Sequence, residues 1–213
     1  MTRTCRTLFE VSPRAVLSEE ITLTSISKLE SFYFYMFRDS RMCFRYLRRL
    51  SLHLSRSSEV PGLGKLMAAI FRWSTKLLSL HLGSCDVTEI DERVAPALFK
   101  LSKLRSFKLH SPSEQECDLL KTMQAPLTDI EVGFYDDDEP VDPVPMFANF
   151  KDSLEYLGVG NVTFESAEVQ YARLIHLRAG YCPHPDLRAM GISFPNLRDL
   201  SFHTGDPDDF HED

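Results

Sequence analysis

Apolar residues recur along the chain in one short arrangement, apolar-x-x-apolar-x-apolar. It reads LESFYF from Leu29, LRRLSL from Leu47, LLSLHL from Leu77, LRSFKL from Leu104, LTDIEV from Leu127, LEYLGV from Leu154, LIHLRA from Leu174 and LRDLSF from Leu197. Successive starts lie 18, 30, 27, 23, 27, 20 and 23 residues apart, a mean of 24. The fourth and sixth positions alternate with polar ones, the period-two signature of a strand buried on one face. The third, fifth and seventh positions then share the opposite face. Between copies the spacing becomes helical, in LGKLMAAIFRW (Leu63 to Trp73), ERVAPALFKL (Glu92 to Leu101) and EQECDLLKTM (Glu114 to Met123). Asp91 and Ser113 stand where helix N-caps belong. Strands joined through helices run parallel, so the pattern predicts an α/β chain of short parallel strands.

The period resembles that of leucine-rich repeats, ~20–29 residues with one strand and one helix or 3₁₀ segment per unit. Cys85 and Cys182 fall at the ninth position of their copies, where such repeats place Asn or Cys. The resemblance implies a leucine-rich-repeat solenoid of about eight irregular repeats over residues 1–203, with parallel strands lining the concave side and helices or 3₁₀ segments on the convex side. An α/β fold of irregular parallel strands is the alternative. On the solenoid reading the concave face carries Tyr33 and Tyr35 from the first copy, Arg49 and His53 from the second, and His81 from the third. Lys108 and His110, Asp129 and Glu131, Tyr156, His176 and Arg178, and Asp199 and His203 follow from the later copies. Tyrosine, arginine and histidine are the residue types that anchor interfaces, so these positions are expected to bind a protein partner. Neighbouring strands lie ~4.8 Å apart, which makes His53 and His81 neighbours. Two imidazoles with no carboxylate at their level make a poor metal site, and no metal is expected.

The N-terminal stretch Arg3-Thr4-Cys5-Arg6-Thr7-Leu8, with LESFYFYMFRD and FRYLRRLSLHL after it, is similar to the junction between F-box and repeats in the fungal F-box/leucine-rich-repeat families. That resemblance implies the substrate-recognition part of a ubiquitin-ligase receptor, with no catalysis of its own. A Skp-type adaptor is implied as partner only if a complete F-box lies upstream, since the first F-box helices have no counterpart before Met1. Residues 1–17 are then a remnant of the F-box or an N-terminal cap. The alternative reading is a stand-alone repeat scaffold or inhibitor with no ubiquitin-ligase link.

Composition narrows the remaining classes. The 213 residues are 43% hydrophobic and 26% charged, ordinary for a globular protein, which disfavours disorder and coiled coil. Lys plus Arg is 24 and Asp plus Glu is 31, a net charge of −7 that argues against a nucleic-acid partner. The charge is uneven: residues 1–110 hold 18 basic and 10 acidic groups, and residues 111–213 hold 6 and 21. Nucleophile-elbow, zincin, Walker and dinucleotide motifs are missing from the sequence, so neither an enzyme nor a cofactor is expected. Asp129 and Glu131 sit two apart on one strand as paired carboxylates would, yet nothing in the adjoining copies supports acid–base chemistry. Five cysteines without a CxxC pair outline no disulfide framework or zinc site. The N-terminus has no signal-peptide core, and LESFYFYMF is too short to span a membrane, so no membrane partner is expected and the location is cytoplasmic, nuclear or both. Asp136 to Pro145 reads as a solvated acidic, proline-rich loop, and residues 204–213 as an acidic, mobile tail.

Overall fold

Seven of the eight apolar copies form strands, and every one of those strands begins at the third residue of its copy. The computed structural model describes residues 13–38, 42–54, 62–83, 90–134, 140–182 and 185–203. The chain is an α/β protein in which short parallel strands alternate with helices, and it divides into two units, residues 1–105 and 106–213.

The first unit holds β1 (Glu20–Leu23), β2 (Arg49–Leu52) and β3 (Ser79–Leu82), paired in parallel in that order with Ile21, Leu50 and Leu80 in register. Its helices are α1 (Pro13–Ser18), α2 (Ile26–Arg38), α3 (Leu63–Trp73) and α4 (Val94–Leu98), with a 3₁₀ turn at Met42–Tyr46. Leu50, Leu52, Leu80 and Leu82 are buried, as are Leu47 and Leu77 at the head of their copies. Met67, Ile70 and Phe71, spaced three and four apart, give α3 the buried stripe its sequence predicts.

LESFYF departs from expectation, because it lies inside α2 instead of forming a strand. Its buried residues are Leu29, Phe32 and Met36, at i, i+3 and i+7, so the helical period decides over the alternation that the same letters also permit. Tyr33 and Tyr35 therefore leave the strand face on which they were expected. Tyr33 packs against Phe37 with ring centroids 4.3 Å apart, and Tyr35 is half-buried on the same helix. The first strand is instead EITL, which carries no copy of the pattern.

The second unit holds β4 (Ser106–His110), β5 (Asp129–Gly133), β6 (Tyr156–Val159), β7 (His176–Tyr181) and β8 (Asp199–His203), all parallel and in chain order. Between them lie α5 (Glu114–Thr122), α6 (Pro143–Met146), a 3₁₀ turn at Ala148–Phe150 and α7 (Leu187–Ser193). Phe107, Ile130, Leu157 and Leu177 share one buried register row, backed by Leu104, Leu127, Leu154 and Leu174. Leu200 continues the row on β8 but is 42% exposed, against 2% for Leu177.

Caps account for where several helices start. Ser113 takes part in a full capping box: its hydroxyl accepts from Glu116 N, and the Glu116 carboxylate accepts from Ser113 N. Asp91 lies two residues before the α4 cap position, where its carboxylate accepts from the Arg93 amide at 2.9 Å and from the Arg93 guanidinium. Those hydrogen bonds to Arg93 hold the Asp91 carboxyl at about 2. The acidic, proline-rich segment also differs from the solvated loop expected of it. Asp142 accepts from Val144 N at 2.9 Å and Ser166 N at 2.8 Å, and the Pro143 and Val144 that follow are buried in α6. Proline at the first helical position, after an aspartate cap, starts a helix there instead of breaking one. The RTCRTL stretch, Cys85 and residues 136–139 and 204–213 lie outside the described residues.

Candidate functional site

With the strand leucines buried, Leu200 excepted, the alternate residues stand on the other face of the strands, and among the described residues that face is open to solvent in each unit. Among the described residues Arg49, His53, Lys108, His110, Asp129, His176, Arg178 and Asp199 are exposed there. Parallel sheets are ordinarily covered on both faces, so a polar, solvent-facing side is the unusual property of this one.

In the first unit Thr22, Ser51 and His81 share a register row, with Glu20, Arg49 and Ser79 in the row before it. Ser51, only 2% exposed, lies between two imidazoles: its hydroxyl is 2.8 Å from His53 Nε2 and 3.1 Å from His81 Nδ1. The rings meet edge to face with centroids 4.6 Å apart, so the expected closeness of His53 and His81 is observed. One hydroxyl has one proton to give, so with both rings neutral one imidazole accepts it while the other donates to Ser51. Gly83 makes room for this arrangement, since a Cβ there would stand 2.7 Å from His53 Nδ1. Ser51 was readable as a face residue, but its bridging role depends on both ring positions, which the pattern does not specify.

In the second unit the first row runs Ser106, Asp129, Tyr156, His176 and Asp199 on five successive strands. The next row runs Lys108, Glu131, Gly158, Arg178 and Ser201. Lys108 and Glu131 form an ion pair at 2.5 Å, and His176 Nδ1 lies 2.8 Å from the Asp199 carboxylate. Asp129 accepts from the Thr128 hydroxyl at 2.5 Å. Asp129 and Glu131 are thus engaged by different partners, Thr128 and Lys108. Tyr156 leans along its own strand, its hydroxyl 3.1 Å from the place a Gly158 Cβ would occupy. His110 stands at the end of β4, paired with Gly133, and His203 ends β8, where the register with β7 shifts between Ala179 and Tyr181.

Outside this face the strongest displacements of acidity come from burial. It pushes the Cys117 thiol up to about 11 and raises the Tyr171 phenol well above its ordinary value. Tyr171 donates to the Val144 carbonyl at 2.5 Å, a structural bond between α6 and the chain before β7. A shallow recess of about 660 Å³ in the second unit is lined by polar side chains, among them Asn149, Lys151, Asp152 and Glu168. Among the described residues no three His, Cys, Asp or Glu side chains are grouped to hold a metal ion, and no helix is long and apolar enough to cross a membrane.

No protein-family model matches the chain, and neither a curated protein nor a solved structure matches it.

Proposed function

We propose that this chain is a protein-interaction module, a leucine-rich-repeat-type solenoid that binds a partner protein on the open face of its sheet. The observation that carries the reading is the uncovered polar face of a parallel sheet, on which Tyr156, His176, Arg178 and Asp199 stand together in two register rows. Such a face presents side chains that bury large area and keep polar tips, the chemistry of recognition without turnover. The resemblance of the N-terminal stretch extends the reading to the substrate-recognition part of an F-box-type ubiquitin-ligase receptor.

Affinity capture with the full chain, compared with its His176→Ala/Arg178→Glu variant, tests the module. Proteins retained by the native face and lost from the variant support it, and an identical set from both overturns it. Co-expression of the natural-length gene product with a Skp-type adaptor tests the ligase link. Co-purification is expected if that product carries a complete F-box, and its failure leaves a scaffold or inhibitor acting through the same face.

A further inference from the structure

Four side chains of the second unit, Asp129, Tyr156, His176 and Asp199, occupy one row on β5, β6, β7 and β8. Three strand steps of about 4.8 Å place the two aspartates about 14 Å apart. Both are exposed, and their present hydrogen bonds, from Thr128 to Asp129 and from His176 to Asp199, leave lone pairs facing solvent.

We propose that this row binds an extended basic segment of a partner protein, with Lys or Arg at two positions four residues apart and an uncharged aromatic residue midway. The inference rests on the open face being the binding surface and specifies what that surface selects. An extended chain rises about 3.3 Å per residue, so side chains at i and i+4 are about 13 Å apart and point the same way as the one at i+2. A segment crossing the strands therefore sets its two cations over Asp129 and Asp199 and its middle side chain over Tyr156 and His176, where rings can stack. Arg178, one row on, disfavours a cation at that middle position, so the same face that attracts the pattern rejects an unbroken basic run. Lys108 does not oppose the ligand, because Glu131 already pairs with it. The surroundings agree in sign: residues 106–213 hold 7 basic and 21 acidic groups, a net of −14, which steers a basic segment toward this unit.

The test is fluorescence anisotropy of the full chain with three short labelled peptides at low salt. The first carries Lys at i and i+4 with Tyr at i+2, the second replaces both lysines by Gln, and the third has the composition of the first with its lysines adjacent. The first is expected to bind, the second to fail, and the third to bind more weakly. Asp129→Asn and Asp199→Asn should each weaken the first peptide by about two- to fivefold, as exposed ion pairs do. Asp152→Asn and Glu168→Gln, which remove charge beside the recess, should leave it unchanged. Equal losses from both pairs of variants, equal binding of the first and third peptides, or no binding of the first would overturn the proposal. Selection from a random peptide library on the same protein separates this failure from failure of the surface. Enriched peptides that are lost on His176→Ala but are not basic sink the proposal alone, whereas enrichment indifferent to that substitution sinks the binding face as well.

Discussion

At Gly160 a Cβ would stand 2.7 Å from the Phe134 amide nitrogen and 3.2 Å from the Phe134 carbonyl oxygen, backbone atoms that cannot swing aside. Gly160→Ala should therefore lower stability by about 1–3 kcal/mol, read as a drop in Tm. Gly191→Ala is the contrasting case. Gly191 is exposed within α7 with nothing within 4 Å of its would-be Cβ, so alanine should raise stability by about 0.5–1 kcal/mol. Tyr171→Phe removes the donor to the Val144 carbonyl in a buried setting and should cost about 1–3 kcal/mol. Alkaline pH acts on the same kind of group. Folding raises the pKa of Cys117, from 9.0 to about 11, and that of Tyr171, from 10.0 upward, so the folded chain holds both protons more tightly than the unfolded one. Their contribution is whole below about pH 9 and is lost as pH rises through the folded values. Thermal melts should show Tm falling above about pH 9, with the steepest alkaline part flattened in Tyr171→Phe; a pH-independent Tm in that range would contradict the assignment.

Elements show where a single sequence determines its structure and where it does not. A head leucine followed by two alternating apolar residues identified β2 to β8, because in β2 to β7 each of those residues has one place to go, the buried side of a parallel strand, and β8 repeats the pattern with its apolar residues only partly covered. The same letters misled at LESFYF, where Leu29, Phe32 and Met36 satisfy the helical period equally well, and only packing decides between them. β1 was invisible because four residues, two of them threonine and glutamate, are too few to show a period. The face residues of β2 to β8 were legible from alternation alone. The hydroxyl shared by His53 and His81 and the Lys108–Glu131 pair needed the strand register, which one sequence does not contain. Energies should follow the observed burial over the pattern. Leu177→Ala should cost about 2–5 kcal/mol, whereas the equivalent Leu200→Ala on half-exposed β8 should cost under about 1.5, as denaturant unfolding would report. At the start of α5, Ser113→Ala should cost about 1 kcal/mol through loss of the capping box, and Ser113→Asp should retain most of it.

Across the molecule, charge follows the division of the fold. Residues 1–105 hold 17 basic and 10 acidic groups, a net of +7, and residues 106–213 a net of −14. Raising salt from about 0.1 to about 1 M shortens the Debye length from about 10 to about 3 Å. Complexes made through the acidic unit should therefore dissociate across that range in a pull-down titration, and persistence at the upper end would point to an apolar interface. The order of the strands has a different consequence, for the way the chain comes to be folded. Arg49 pairs with Ser79, 30 residues on, and Tyr156 with His176, only 20 on. Among the described residues, no strand pairing within either unit closes a longer loop than the first of these, so the entropy of closure is nearly the same at every step. Parallel sheets usually assemble slowly because their partners are remote in sequence. Here each strand meets its partner as soon as the next few dozen residues exist, so the sheet can be laid down strand by strand while the chain is still leaving the ribosome.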